Sequence, residues 1–289
     1  MKVHLRIRLM AATCLLGSIA ACGSDSMAAA GIDCDPMVYV SKKQGDEDIW
    51  VSRAGKRTAI TGQGSVDVNP AWSPDGDRIA FTSGAGPDLD LYTMAADGTD
   101  QQLVWGGLVL QSSVDWSPDG STLVVDAAPM EGDLQVFTLG LDGGGPVQIT
   151  EGKPNGKPHW TPDGRILFLS LRDGDTQEIY VMGADGTDPI NLSDDPSRDV
   201  LAEMSPDGRH IVFSSDRTGD FEIWLMDANG SNPYRLTETP GTDSNPTWSS
   251  DGAHILYTSE ADPVGIWAMN MDGSNQLPII TAGWTPDCP

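Results

Sequence analysis

A tryptophan followed by a tight turn returns at a fixed interval of 44 residues along this chain. Methionine replaces the tryptophan in one of the five copies, which stand at Trp72, Trp116, Trp160, Met204 and Trp248. A period of roughly 40 to 45 residues with short strands is typical of a β-propeller, because one small sheet cannot bury both of its faces without neighbouring copies. The period therefore predicts an all-β fold.

Each copy carries two turn signals that divide it into strands. In the first, as at Pro74-Asp75-Gly76, proline presets φ, aspartate can bond to the backbone two residues on, and glycine adopts a positive φ. The second signal is an Asp-Gly or Asn-Gly pair typical of two-residue hairpins. These pairs stand at Asp97-Gly98, Asp142-Gly143, Asp185-Gly186, Asn229-Gly230 and Asp272-Gly273. Short apolar stretches separate the turns, so we expect four strands in each copy.

The two ends of the chain together supply one further blade. Residues 37–40 align with residues 79–82 although no tryptophan turn precedes them, and Gly283-Trp284-Thr285-Pro286-Asp287 repeats the first-strand motif. We therefore expect five whole blades and a composite sixth blade with one C-terminal strand and three N-terminal strands. The predicted fold is a six-bladed β-propeller of four-stranded blades over residues 34–289.

Two cysteines fall in the composite blade. In the alignment, Cys34 and Cys288 both take the place of the turn glycine, such as Gly76 or Gly120, so we expect them to be neighbours joined by a disulfide. Closing so long a loop would remove denatured-state entropy worth on the order of 4 to 5 kcal/mol. The alternative is a pair of unrelated free thiols.

The N-terminal residues have the features of an export signal. Lys2, Arg6 and Arg8 precede an apolar stretch at residues 9–20, which is too short for a permanent membrane helix. Ile19-Ala20-Ala21-Cys22 resembles the lipobox of a bacterial lipoprotein, which implies cleavage before Cys22 and lipid attachment to it. We predict a signal peptide at residues 1–21 and a flexible tether at residues 22–33. The alternative is an ordinary secretory signal cut near Ala21 or Ala30.

The acidic composition restricts the partners of the chain. It has 42 acidic and 17 basic residues and a formal net charge of −25. Such a surface repels phosphate, and no basic stripe with interleaved aromatic residues is present, so nucleic acid is excluded as a partner. Cations and basic protein surfaces are favoured, although much of the charge serves solubility. We expect a monomer that meets the membrane only through its lipid anchor.

The repeat resembles the WD40-like repeats (PD40 type) of the TolB propeller family over residues 36–287. The resemblance rests on the Trp-Ser-Pro-Asp-Gly turn, the Ser214-Ser215-Asp216-Arg217-Thr218-Gly219 loop before Ile223-Trp224, and the Met-Asp-Ala-Asn-Gly hairpin. It implies a six-bladed propeller that binds envelope partners without catalysis. TolB carries an additional N-terminal α/β domain, which we do not expect in these 289 residues. Similar repeats also occur beside serine peptidase domains and in oligogalacturonate lyases, so the fold alone does not determine the function.

The residue before each repeat tryptophan is the strongest candidate for a functional site. It lies on the innermost strand, and the six positions are Ala71, Asp115, His159, Glu203, Thr247 and Gly283. Three successive blades thus offer Asp115, His159 and Glu203 at one height of the axial channel, and these side chains are of metal-ligand or acid/base type. The alternative is that they are hydrated or paired with one another.

A second polar ring lies four positions earlier on the same strands. Its members are Asp67, Gln111, Asn155, Asp199 and Asp243. Their oxygens would suit Ca²⁺ or ordered water near one channel entrance. The alternative is that they cap loops by bonding to the backbone.

Two hypotheses for the function follow. The first is a non-enzymatic, lipid-anchored propeller that binds an envelope protein or glycan through its loops and channel face and needs no cofactor. It assigns no catalytic residue, because the sequence carries no nucleophile elbow, zinc-protease motif or phosphate loop. The second is a metal-assisted, lyase-like carbohydrate-active enzyme with a divalent cation in the channel. We expect an exported protein at the periplasmic face of the outer membrane, since Gly23 follows Cys22, or at the cell surface.

Overall fold

The structure is a computed structural model that describes residues 31–42, 46–62, 64–85, 89–107, 113–128 and 133–289. The expected signal peptide, Cys22 and most of the tether lie outside the described residues. Among the described residues the regular structure consists of β-strands, and no helix is long and apolar enough to cross a membrane.

The strands form six antiparallel four-stranded sheets within the described ranges. The chain first forms β1 (Met37–Ser41), β2 (Asp48–Arg53) and β3 (Lys56–Ala59). Blade 1 contains β4 (Val66–Trp72), β5 (Arg78–Gly84), β6 (Asp90–Ala95) and β7 (Gln102–Trp105). Blade 2 contains β8 (Val114–Trp116), β9 (Thr122–Ala127), β10 (Gln135–Gly140) and β11 (Pro146–Gln148). Blade 3 contains β12 (Asn155–Trp160), β13 (Ile166–Ser170), β14 (Glu178–Met182) and β15 (Ile190–Asn191).

The remaining strands complete the ring. Blade 4 contains β16 (Asp199–Met204), β17 (His210–Ser215), β18 (Glu222–Asp227) and β19 (Tyr234–Arg235). Blade 5 contains β20 (Asp243–Trp248), β21 (His254–Ser259), β22 (Gly265–Asn270) and β23 (Leu277–Thr281). The last strand, β24 (Trp284–Asp287), pairs with β1, so that blade 6 has the order β24-β1-β2-β3. The prediction of six blades with a composite closing blade is confirmed.

The repeat turns are built as the sequence predicts. The Ser73 hydroxyl donates to Asp75 Oδ1 at 2.6 Å, and the same oxygen accepts the Asp77 N–H at 3.1 Å. The Arg78 N–H donates to Ser73 Oγ at 2.9 Å. Corresponding hydroxyl-to-aspartate bonds occur at Ser117–Asp119, Thr161–Asp163, Ser205–Asp207 and Ser249–Asp251. The aspartates of these turns therefore have a structural role.

Adjacent blades pack through apolar faces. Between blades 6 and 1, Val38 and Ile49 pack with Trp72, Ile79 and Phe81, and all five are almost completely buried. Each fully buried side chain of this size contributes roughly 1.5–3 kcal/mol relative to exposure. The repeat tryptophans are therefore part of the core between blades rather than of a binding surface.

The inner strands contain a bulge that defines the alignment of the blades. Three positions before the repeat tryptophan or methionine the backbone is left-handed, with φ values of 52°, 50°, 56° and 51° at Asn69, Lys157, Leu201 and Asn245. Thr285 has the same conformation, with φ of 47°. In blade 1, Val68 pairs with Thr82 and Ala71 with Ala80, so the inner strand carries one extra residue.

The bulge corrects one sequence expectation about blade 6. Thr285 aligns with Asn69, so Cys288 takes the place of Trp72 and not of a turn glycine. Trp284 resembled a repeat tryptophan, but it pairs with Val40 and lies at the start of β24. Cys288 follows Trp248 by 40 residues instead of 44, because the last connection is shorter. The first-strand motif therefore lies four residues later in this blade than the sequence alignment placed it.

The disulfide closes the composite blade. Cys34 and Cys288 are joined with Cα atoms 5.1 Å apart, and Cys34 is completely buried. The flanking residues bind blade 5, since the Ser250 N–H donates to the Asp33 carbonyl at 3.0 Å and the Ser250 hydroxyl to the Pro289 carbonyl at 2.6 Å. The expected pairing of the two cysteines is confirmed.

Candidate functional site

The axial channel contains a cavity of about 160 Å³ formed by the six inner strands. The position before the repeat tryptophan lines it in every blade, with the side chains of Ala71, Asp115, His159, Glu203, Thr247 and Asp287. The bulge residues three positions before the tryptophan line it as well, among them Asn69, Lys157 and Asn245. The structure thus brings together Asp115, His159 and Glu203, as the period predicts.

The sixth member of this ring differs from the sequence expectation. Gly283 does not line the cavity; a side chain there would meet Tyr39 at 3.0 Å and Ile280 at 3.1 Å, in the packing between blades 5 and 6. Asp287 takes the position instead. A signal for it was present, because Pro286 precedes Asp287 as Pro158 precedes His159 and Pro246 precedes Thr247.

The three carboxyl side chains of the ring lie on alternate blades and bind the backbone of the next blade. Asp115 Oδ2 accepts the Trp160 N–H at 2.7 Å, Glu203 Oε1 the Trp248 N–H at 3.1 Å, and Asp287 Oδ2 the Trp72 N–H at 2.7 Å. Each bond joins neighbouring inner strands across the channel wall. These carboxyl groups therefore hold the blades together and also face the channel.

His159 forms an ion pair within the ring. Its Nδ1 donates to Asp115 Oδ2 at 2.9 Å, and the two side chains are 28 % and 17 % exposed. Burial alone would lower the pKa of His159, but the charges of Asp115, Glu203 and Asp287 outweigh it and raise this pKa to about 9. We conclude that His159 is an imidazolium at neutral pH.

The other two carboxyl groups hold protons more tightly than usual. The pKa of Asp287 is raised to about 8, chiefly by burial. The charges of Glu203 and Asp115 also raise it, whereas the hydrogen bond from the Trp72 N–H lowers it. Burial also raises the pKa of Glu203, while His159 lowers it. These shifts favour the protonated form of Asp287 more than in a free aspartate, beside the His159–Asp115 pair.

This arrangement determines what the channel can bind. Its walls offer charged and hydrogen-bonding groups on a rigid frame, which suits the polar tip of a peptide or a sugar hydroxyl. Among the described residues, no group of three or more His, Cys, Asp and Glu side chains is placed to hold a metal ion. A metal held by Asp115, His159 and Glu203 stays a prediction, and it would have to displace the proton of the imidazolium.

The second polar ring lies between the blades rather than in the channel. Asp67, Asn155, Asp199 and Asp243 are each at most 2 % exposed and do not line the cavity, and Gln111 lies outside the described residues. Their N–H groups bond to the preceding blade, for example from Asp199 to the Gln177 carbonyl at 3.0 Å and from Asp243 to the Phe221 carbonyl at 2.8 Å. Of their side chains, only that of Asn155 bonds to backbone among the described residues, donating to the Lys153 carbonyl at 2.7 Å, whereas Asp67, Asp199 and Asp243 accept from Ser65, Arg217 and Thr239 side chains.

The closed ring of six blades and its polar axial channel define a six-bladed β-propeller whose blades are built from a sequence repeat. The chain belongs to the PD40 family, the TolB β-propeller domain, whose model matches residues 23–158 and 152–289.

Relatives are consistent with this family. The chain is 30 % identical over 156 residues to "Protein TolB homolog" of Chlorobium luteolum, covering 50 % of this chain and 34 % of the relative. It is 29 % identical over 166 residues to "Tol-Pal system protein TolB" of Bordetella pertussis, covering 55 % of this chain and 37 % of the relative. The matched part spans about a third of these curated relatives.

Solved structures share the fold. TolB from Acinetobacter baumannii matches with a TM-score of 0.77 and 21 % identity, over 91 % of this chain and 69 % of that chain. An oligogalacturonate lyase in complex with manganese matches with a TM-score of 0.60 and 18 % identity, over 89 % of this chain and 75 % of that chain. At these identities both likenesses show the fold alone.

Proposed function

We propose that this protein is a non-enzymatic, lipid-anchored propeller of the cell envelope that binds a protein or glycan partner through its loops and channel face. The observation that carries the proposal is the axial channel of a TolB-family propeller, with the His159–Asp115 pair, Glu203 and Asp287 directed into one open cavity. These side chains are held in place by the backbone of neighbouring blades, so a partner meets groups that are already oriented.

The export and the anchor are supported by different observations. The Cys34–Cys288 disulfide is of a kind that persists in oxidising compartments outside the cytoplasm. The Ile19-Ala20-Ala21-Cys22 motif supports lipid attachment at Cys22. Changing Cys22→Ala is expected to move the protein from the membrane to the soluble fraction and to remove the lipid mass from its N-terminal peptide. The anchor would be contradicted if the Cys22→Ala protein stayed in the membrane fraction and the N-terminal peptide of the wild type carried no lipid mass.

The partner can be sought from inside the channel. Leu201 lines the cavity, and its backbone is left-handed although its side chain is bulky. A photoreactive amino acid of similar bulk can therefore replace it with little further strain. Irradiation of living cells is expected to join an envelope component to this position. The same replacement at Val147, which is 57 % exposed on the outer strand β11, is the control for non-specific capture.

The role of the channel chemistry is tested by a second change. Adding Asp115→Asn to the photoreactive variant removes the charge opposite His159 and should reduce the crosslinked product at least tenfold. Asp175→Asn, in an exposed loop of blade 3, is the matched control and should leave the product unchanged. Equal yields with Asp115→Asn and Asp175→Asn would show that the channel does not recognise the partner.

The metal-assisted enzyme remains the second hypothesis. The structural likeness to an oligogalacturonate lyase concerns the fold only, and no geometry among the described residues favours catalysis specifically. Elemental analysis of the purified protein discriminates the two. A stoichiometric metal that is lost on His159→Ala would replace the binding hypothesis by the enzymatic one.

A further inference from the structure

A polar pocket recurs where one blade meets the next. It combines an acid or amide that begins the third strand, a hydroxyl that follows the fourth strand, and the acid or amide that begins the inner strand of the next blade. Three of the sets are Gln135, Thr150 and Asn155 between blades 2 and 3; Glu178, Ser193 and Asp199 between blades 3 and 4; and Glu222, Thr237 and Asp243 between blades 4 and 5. A fourth, Asp48, Thr61 and Asp67, lies between blades 6 and 1, where both carboxylate oxygens of Asp48 are buried without a hydrogen-bond partner among the described residues.

Two of these pockets contain an arginine. Between blades 3 and 4, Arg217 Nη2 donates to Asp199 Oδ2 at 2.6 Å, and the guanidinium lies over the rings of Phe213 and Trp224. Between blades 2 and 3, Arg172 Nη2 donates to the Asn155 amide oxygen at 3.2 Å. There both acids are replaced by amides, and the Asn155 amide donates to Gln135 Oε1 at 2.9 Å. Neither pocket leaves two carboxylates together without a cation.

The pocket between blades 4 and 5 lacks this compensation. Ser259-Glu260-Ala261 aligns with Ser215-Asp216-Arg217, so Ala261 stands where blade 4 has its arginine. Asp243 is fully buried and Glu222 is 5 % exposed. Arg235 is close enough to lower the pKa of Glu222, but its guanidinium pairs with Glu238 at 2.8 Å.

One carboxylate oxygen in this pocket is unpartnered. Asp243 Oδ2 accepts the Thr239 hydroxyl at 2.8 Å, but Asp243 Oδ1 is buried and has no hydrogen-bond partner. Glu222 Oε2 accepts the Thr237 hydroxyl at 2.5 Å. Two buried carboxylates that form no ion pair and leave one oxygen unpartnered are disfavoured, so this pocket favours a cation or a proton.

The remaining side chains of the pocket favour a cation that binds oxygen. Tyr257 replaces the Phe213 of blade 4 and adds a hydroxyl, which donates to Gln276 Oε1 at 3.5 Å. The charges of Asp243 and Glu222 add to burial in raising the pKa of Tyr257. Ca²⁺ prefers six to eight oxygen ligands from carboxylates, carbonyl groups and water, and tolerates irregular geometry. Two carboxylates neutralise its charge.

We propose that a Ca²⁺ ion binds between blades 4 and 5, held by the carboxylates of Glu222 and Asp243 in the place that the Arg217 guanidinium occupies between blades 3 and 4. The ion joins the third strand of one blade to the inner strand of the next. It therefore stabilises the ring and acts apart from the channel, so the site does not depend on the proposed function.

The first test measures Ca²⁺ binding by titration calorimetry on the full folded chain. Glu222→Gln and Asp243→Asn reproduce the amide pair Gln135 and Asn155 that the chain already uses between blades 2 and 3, so both variants are expected to fold. Each should weaken Ca²⁺ binding at this site at least tenfold. Glu178→Gln, the same change beside Arg217, is the matched control and should leave the titration unchanged.

The second test supplies the missing cation. Ala261→Arg should raise the melting temperature in EGTA and abolish the further rise that CaCl2 gives to the wild-type protein. If the larger side chain prevents folding, the Glu222→Gln result decides alone. Absence of Ca²⁺ binding in the wild type, or a titration of Glu222→Gln identical to that of the wild type, would overturn the proposal. A proton shared by the two carboxylates would also overturn the proposal. It would be indicated if the wild-type melting temperature did not change with CaCl2 but fell between pH 5 and pH 8, and if Glu222→Gln showed no such fall.

Discussion

His159 meets three carboxyl groups in the channel, and its pairing with Asp115 decides the charge of the whole ring. In the His159→Ala variant, Asp115 keeps the Trp160 N–H but loses its cationic partner. Both side chains are partly exposed to the channel, so we expect the free energy of unfolding at pH 7 to fall by about 1–2 kcal/mol rather than by the larger cost of a fully buried pair. Urea unfolding followed by tryptophan fluorescence measures the change.

The control for this residue lies in the same blade. Asp175 is exposed in the loop before β14, and Asp175→Asn is expected to change the stability by less than about 0.5 kcal/mol. If His159→Ala were as stable as Asp175→Asn, the imidazolium pair would contribute nothing and the channel charge would have to be reassigned.

Among the structural elements, the repeat turn depends on a single hydroxyl. Ser117 is 5 % exposed, donates to Asp119 at 2.6 Å and accepts the Thr122 N–H at 3.0 Å. Ser117→Ala leaves that N–H without its side-chain acceptor, so we expect a loss of about 1 kcal/mol in urea unfolding. Ser121, whose hydroxyl also donates to Asp119 at 2.8 Å but is exposed, is the control. A loss on Ser121→Ala as large as that on Ser117→Ala would contradict the assigned role.

The composite blade depends on its disulfide. Replacing Cys34 and Cys288 together by serine removes the covalent link between two positions that are 254 residues apart in sequence. The expected loss is about 2–5 kcal/mol in the free energy of unfolding, together with faster hydrogen exchange in β24 and β1 than in β20 and β21. Uniform exchange across these two blades would show that the pairing of β24 with β1 is sufficient without the bond.

For the whole molecule, stability should fall at both ends of the pH range. The pKa values of Asp287 and His159 are raised to about 8 and about 9, so the folded state binds these protons more tightly than the unfolded chain. Their contribution is complete below the unfolded pKa of each group and is lost as the pH rises through the folded values. We therefore expect the urea midpoint to decrease between pH 7 and pH 9.5, and less steeply in His159→Ala.

In acid the turn aspartates act in the opposite direction. The Ser117 hydroxyl and the Ser121 N–H lower the pKa of Asp119 to about 2, and the corresponding hydroxyls lower the pKa of Asp207 and Asp75. Their contribution is present above the unfolded pKa of about 4 and is lost as the pH falls toward 2. A stability that increased from pH 4 to pH 2 would contradict this assignment.

The sequence predicts the repeats well and their junctions poorly. The 44-residue period and the turn chemistry are local, and they suffice for six blades and for Asp115, His159 and Glu203 at one height. Asp287 was missed because the last connection is shorter and Trp284 resembles a repeat tryptophan. The bonds from Trp160, Trp248 and Trp72 to the channel carboxyl groups depend on the lateral spacing of blades, which no local pattern encodes.

The composite blade has a consequence for the order of the chain. Because the first and last strands of the propeller meet within one sheet, with Cα atoms 5.1 Å apart at Cys34 and Cys288, the ring does not dictate the order of its blades along the chain. A circular permutant can link positions 34 and 288 by a short peptide and open the chain at Asp194, in the connection between blades 3 and 4. It should form the same six-bladed ring, with its new termini between blades 3 and 4.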